Sequence, residues 1–284
     1  MPSFEYKQFH DIAQTLKFLD EHAEGTKIIA GGTDLMVQWK AGKVNPKYVV
    51  DISEINELNY IEEKAGYVEI GGATKIESLR RSNIIKYYFD SLYESLRNFA
   101  TWQVRNMATL GGNLCNASPA ADLAPPLMVL NAIGTLKSFK NERTVDLNSF
   151  FVGPGKTVLN GNELLTSVRI PVTDRISYQK FIKLGNRGSH ILSVVNIATN
   201  IILRDNTINK AAIALGAVAP TPIRARKTEE FLTNKKPSEG LIEGASELAV
   251  KEANPISDIR ASKEYRTSMI KVLTKRALVG MIKN

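Results

Sequence analysis

The chain has 284 residues, 43% of them apolar and 23% charged, an ordinary globular balance that excludes disordered and fibrous classes. That length suggests about two domains. The net charge is +8 and the pI about 9.4, but Arg224–Arg226–Lys227, Lys235–Lys236 and Lys271–Lys275–Arg276 lie beside turns or on apparent helical faces without interleaved aromatics. The charge therefore reads as solvated surface or as a docking face for acidic partners, and no nucleic-acid partner is expected.

The first helix is predicted over 8–22, with Ile12, Leu16 and Leu19 on one face. A short apolar run, Lys27-Ile28-Ile29-Ala30, leads into Gly31-Gly32. Thr33-Asp34 then opens a helix that Gly42 ends. Tyr48–Ile52 reads as a strand. A second unit begins near residue 58. Its strand Tyr67–Ile70 ends in Gly71-Gly72, and Thr74-Lys75-Ile76-Glu77 has the spacing of a capping box. A helix over 84–98, a loop containing Gly111-Gly112, and a helix Leu123–Leu130 follow, the last with Pro125-Pro126 suited to a first turn. Strands are expected at 132–139 and 164–170.

A third unit starts near 176. YQKFIKL is a strand, and the apolar stretch from Ile191 to Val218 holds long strands with a turn at Arg204-Asp205-Asn206. Helices are expected at about 228–233, 238–253 and 263–281. Strands and helices alternate without a steady βαβ period, which favours α+β. Each of the first two units carries a strand–Gly-Gly–helix element, a weak internal echo.

No stretch approaches the roughly 20 apolar residues of a membrane helix, so no membrane span is expected. The N-terminus lacks a basic segment followed by an apolar one, and a cytoplasmic location is expected. The single cysteine, Cys115, excludes an internal disulfide framework, a cysteine-ligated zinc and an all-cysteine iron–sulfur cluster. His10, His22 and His190 have no metal-ligand spacing. Redox chemistry in this chain would need an organic cofactor.

Two glycine loops carry the functional argument: KIIAGGTDLM at 27–36 and NMATLGGNLCNASPAAD at 106–122. Paired glycines permit positive φ and remove the Cβ atoms that would block close approach. Successive N–H groups in such a turn can converge on an anion, helped after the first loop by a helix N-terminus. Thr33, Thr109 and Asn113 add side-chain hydrogen bonds, so the two loops could grip a pyrophosphate from opposite sides. A tight turn alone would explain either pair equally well. The dinucleotide signature GxGxxG is absent after the first strand. Gly155-Lys156-Thr157 imitates the end of a P-loop, but Phe150 stands where its first glycine belongs and Pro154 removes an amide.

AGGTDLM together with RNMATLGGNLCNASPAADLAP resembles the FAD-binding medium subunit of the molybdenum hydroxylases, the xanthine dehydrogenase and carbon monoxide dehydrogenase type. The resemblance continues through LLTSVRIP at 164–171, KFIKLGNRGSHILSVVNIA at 180–198, LGAVAPTPIRA at 215–225 and SKEYRTSMIKVLTKRAL at 262–278. It implies a para-cresol-methylhydroxylase-like FAD-binding domain over 1–174, built of two α+β subdomains at about 1–57 and 58–174. A smaller α+β C-terminal flavoprotein domain over 175–284 would follow.

It also implies one non-covalent FAD. Ile29, Ala30, Gly31, Gly32, Thr33, Asp34 and Leu35 would wrap the pyrophosphate, with Thr109, Leu110, Gly111, Gly112 and Asn113 closing on it. Phe99 and Leu165 would line the site, Asp122 would bond flavin hydroxyls, and Lys183 would lie near the flavin ring. From its position alone, Asp122 equally suits a helix cap. Cys115 reads as a small buried residue. Arg187-Gly188-Ser189-His190 departs from the pattern of many relatives. A branch with an extra cysteine-rich iron–sulfur loop is excluded.

By the same resemblance, molybdopterin and 2Fe-2S clusters belong to partner subunits, a large one and a small one. The assembly would be a dimer of heterotrimers. This chain would pass electrons to NAD+ or another acceptor, with no catalytic acid or base of its own. The alternative is a self-sufficient flavin-dependent oxidase or reductase.

Overall fold

The computed structural model describes residues 3–172, 177–186 and 192–282. The chain opens with β1 (Glu5–Gln8), α1 (Ile12–His22), β2 (Thr26–Ile29), α2 (Leu35–Lys40) and β3 (Tyr48–Asp51). The three strands form a parallel sheet in the order β1-β3-β2. Asp11 caps α1 by accepting the Gln14 N–H at 2.8 Å, and the helix buries Leu16 and Leu19. The helix expected from residue 8 thus begins four residues later. β1 is a mostly exposed edge strand, so its sequence carries no alternation to read.

The second unit runs β4 (Ile61–Lys64), β5 (Tyr67–Gly71), α3 (Ile76–Arg81), α4 (Asn83–Tyr88), α5 (Asp90–Arg97), α6 (Trp102–Met107), α7 (Leu110–Cys115), α8 (Ala124–Val129), β6 (Ile133–Lys137), β7 (Glu142–Asp146), β8 (Phe151–Gly153), β9 (Lys156–Thr157) and β10 (Leu164–Pro171). An antiparallel sheet in the order β4-β5-β10-β6-β7 backs the helices, and β8–β9 form a separate ribbon.

Three expectations are corrected here. Thr74 does not cap α3. Its hydroxyl donates to the Tyr60 carbonyl at 2.9 Å, and Glu77 is drawn instead to three arginines. The single helix expected at 84–98 breaks at Phe89 (φ −130°, ψ 70°), whose ring is buried in the core. The Gly111-Gly112 segment is the first turn of α7 rather than a loop.

The third unit is an antiparallel meander, β11 (Ser177–Leu184), β12 (Val195–Arg204), β13 (Thr207–Gly216) and β14 (Ile223–Arg224), followed by α9 (Arg226–Leu232), α10 (Glu239–Glu252) and α11 (Lys263–Val279). Its central strands read as unbroken apolar runs because both faces are covered. Ala198, Ala212 and Ala214 face a core shared with α5 and α8. Val195, Ile197, Ile201, Ile213 and Leu215 face the helices that follow. Asp205 and Asn206 make the turn at positive φ, which short polar side chains tolerate. The fold is α+β.

Arg266 on α11 locks this unit. It is 1% exposed, and its Nη1 donates to the Val194 and Ala217 carbonyls at 2.5 and 2.9 Å. Its Nη2 reaches Asp258 at 2.8 Å. Arg260 above all, then Arg266, holds the Asp258 carboxyl well below the usual carboxylate range against the opposing effect of burial. A folded pKa below the unfolded value, about 3.9, stabilises fully above that value and is lost as pH falls below it. Urea midpoints measured against pH are therefore expected to drop from about pH 4 downward, and Asp258→Asn should lower the neutral-pH midpoint while flattening that acid limb.

Candidate flavin-binding site

A cavity of about 550 Å³ opens where the three units meet, within the roughly 300–1,000 Å³ range of cofactor sites. The first unit contributes the loop from Ile29 to Leu35, between β2 and α2. Gly32 turns it at φ +66°. The N–H groups of Gly31, Gly32, Thr33, Asp34 and Leu35 have no acceptor among the described residues. Successive donors without partners form the cradle expected for an anion.

Gly31 is required for a different reason. A Cβ there would stand 2.0 Å from the Met107 carbonyl oxygen, so the two loops touch backbone to backbone. Lys75 donates to the same carbonyl at 3.2 Å, and burial lowers the pKa of its ammonium. Asp34 ties the loop to α7 through Asn116 and accepts from Gln38 at 3.1 Å.

The second loop works otherwise than its glycines suggested. Leu110 N–H donates to Thr74 O, Gly111 N–H to Gly72 O, Gly112 N–H to Thr109 Oγ1 and Asn113 N–H to Thr109 O, all at 2.8–3.0 Å. No amide from Leu110 to Asn113 remains for a ligand. Gly111 lies against Gly72, where a Cβ would meet the carbonyl at 2.7 Å, and a Cβ on Gly72 would meet Leu165 O at 2.2 Å. What the segment offers is side chains. Among the described residues, Thr109 Oγ1 accepts from Gly112 and donates to none, and Asn113 Oδ1 is buried without a partner. An orphaned buried acceptor costs about 1–3 kcal/mol unless a ligand or water satisfies it.

Phe99, Ala100, Val104, Leu164 and Leu165 add apolar wall. Free amides, an orphaned amide oxygen and apolar surface together fit a dinucleotide with an aromatic ring system.

All the residues expected at the site line this cavity except Leu110, Asp122 and Lys183. Leu110 is buried in the core. Asp122 and Lys183 pair with each other at 2.5 Å, their side chains 9% and 8% exposed. Asp122 also accepts from Ser193 at 2.6 Å and Asn196 at 3.2 Å, joining the second unit to the third. It caps nothing: α8 starts after Leu123, with no side-chain cap. Arg187-Gly188-Ser189-His190 lies outside the described residues.

Cys115 borders the cavity, and burial pushes its thiol up to about 12, consistent with an unreactive role. Among the described residues no cluster of His, Cys, Asp and Glu could hold a metal, and no helix is long and apolar enough to cross a membrane. Sequence reasoning missed Gly72 as a site residue, although the repeated strand–Gly-Gly element was its signal. It also missed Ala100, Val104 and Leu192, which carry no motif.

A family model described as the FAD binding domain in molybdopterin dehydrogenase matches residues 2–173, and one for the CO dehydrogenase flavoprotein C-terminal domain matches 180–281. The chain belongs to this family of FAD-binding medium subunits of molybdenum hydroxylases, and it is a FAD-dependent oxidoreductase subunit. It is 34% identical to the glyceraldehyde dehydrogenase medium chain of Sulfolobus acidocaldarius, over 97% of each chain. It is 30% identical to the xanthine dehydrogenase FAD-binding subunit of Escherichia coli O157:H7, over 97% of this chain and 96% of the other. A chain of carbon monoxide dehydrogenase from Hydrogenophaga pseudoflava superimposes with a TM-score of 0.95 at 28% identity, covering 99% of this chain and 98% of that one.

Two outcomes are expected. Gly31→Ala should separate the loops and weaken FAD binding at least about tenfold by fluorescence titration, while Gly240→Ala, with open space around it, leaves binding unchanged. Asp122→Ala strands a buried ammonium and should lower stability by about 3–5 kcal/mol in chemical denaturation.

Proposed function

We propose that this chain relays electrons from 2Fe-2S clusters on a small partner subunit to NAD+ or another acceptor, while a molybdopterin-binding large subunit oxidises the substrate. The observation that carries this is the cavity itself, which brings the unpartnered amides of residues 31–35 together with the apolar surface of Phe99, Leu164 and Leu165 in a chain that matches both family models. When bound, FAD supplies a centre that takes electrons singly and returns them as a pair.

The chain's own residues bind and orient. Amides 31–35 and the Thr33 hydroxyl hold the diphosphate, with the Thr109 hydroxyl as a further donor. Asn113 Oδ1 accepts a hydrogen bond, and Phe99 and Leu165 keep water from the ring. Asp122 and Lys183 act from behind the wall, where their pairing leaves little net charge to bias the flavin. We assign flavin binding to 1–174, with lobes at about 1–57 and 58–174, and a C-terminal domain to 175–284. The separate sheets within 5–51, 61–171 and 177–224 support that division. The working form is a cytoplasmic dimer of heterotrimers.

The test is purification with and without the partner subunits. The isolated chain should be yellow, take up FAD reversibly and fail to oxidise substrate. Anaerobic NADH should bleach the flavin if NAD+ is the acceptor, and a quinol should do so if it is not. Substrate turnover by the chain alone would overturn the relay in favour of a self-sufficient oxidase.

A further inference from the structure

The turn between α5 and α6 places two residues in the cavity wall, Phe99 and Ala100. Ala100 sits at φ +33°, in the left-handed region that a residue with a Cβ adopts at a cost. An interaction from outside the turn has to hold it there. Arg105 on α6 donates from Nη1 to the Phe99 carbonyl at 2.8 Å and to the Ala100 carbonyl at 3.0 Å. The preceding carbonyl, of Asn98, is met by Lys183 Nζ at 3.4 Å. Three successive carbonyls thus face cations, and the Ala100 N–H is left without an acceptor among the described residues.

Arg105 does not line the cavity and is itself fixed. Its side chain is 13% exposed, and Nε lies 2.9 Å from Glu77 Oε2. Glu77 is buried at the start of α3 and also gathers Arg80 and Arg81. A planar guanidinium can serve a carboxylate with one edge and two carbonyls with another, which an ammonium cannot.

We propose that Arg105, anchored by Glu77, is a positioning residue for FAD: it holds the strained Phe99–Ala100 turn as a ready-made wall, so that binding carries no cost of ordering it. The inference rests on flavin binding in this cavity. The experiment is FAD titration of the full chain by fluorescence, with visible circular dichroism of the bound flavin as a second signal.

Arg105→Gln is expected to weaken FAD about tenfold and to alter the dichroism, and Arg105→Lys to recover only part of the loss. Glu77→Gln, which keeps the arginine but frees it, should weaken binding by a smaller factor. The deciding variant adds Ala100→Gly to Arg105→Gln. Glycine adopts positive φ without a clamp, so the double variant should regain most of the affinity, which no general loss of stability would allow. Wild-type affinity in Arg105→Gln, or a double variant as weak as the single one, overturns the proposal. A wild-type chain that takes up no FAD overturns the cavity assignment itself and this inference with it.

Discussion

The molecule is organised by main chain resting on main chain. Gly31 abuts Met107, Gly72 abuts Leu165, and Gly111 abuts Gly72, each at a spacing that a single methyl would make impossible. These approaches draw the small parallel sheet, the antiparallel sheet and α7 around one opening, and they set the width of the cavity between them. Van der Waals contact at this range tolerates no relaxation, since interiors are packed like crystals. The glycines therefore matter less as hinges than as places where nothing projects. Of Gly31, Gly32, Gly111 and Gly112, only Gly32 lies at positive φ.

Ionic contacts then tie the units where apolar packing ends. Lys183–Asp122 joins the third unit to the second, Arg224 reaches both Glu229 and the Met128 carbonyl, and Arg105–Glu77 joins α6 to α3. Each places a guanidinium or ammonium against several oxygens at once, which is what makes a buried charge tolerable. Each of these three cations is matched by a carboxylate, so they add nothing to the net charge of +8, which is carried elsewhere on the chain.

Much of this was legible in the sequence because it was periodic or punctuated. The long strands β12 and β13 and their Asp205-Asn206 turn, the three closing helices, and the proline-led α8 follow directly from apolar runs and breakers. The first glycine loop invited the reading of a cradle, and its amides find no acceptor among the described residues. The second was misread because Gly-Gly looks the same whether its amides are free or bonded to Thr74, Gly72 and Thr109. Partners far away in sequence decide that. The same holds for Glu77, whose spacing from Thr74 promised a local cap and whose arginines offered more. Asp122, expected to bond flavin hydroxyls or to cap a helix, caps none and joins two units through Ser193 and Asn196. β1 and α6 left no trace because short, half-exposed segments carry too few buried positions to show a period.

Cys115 has a practical consequence. It is the only thiol in the chain, it is half-buried at the cavity wall, and burial pushes its thiol up to about 12, which disfavours the thiolate that alkylating reagents require. The native protein is therefore expected to give little background in maleimide chemistry. A cysteine installed at an exposed position such as Trp102 would carry a lone fluorophore or spin label, and distances from that label to the flavin could be mapped without first removing anything.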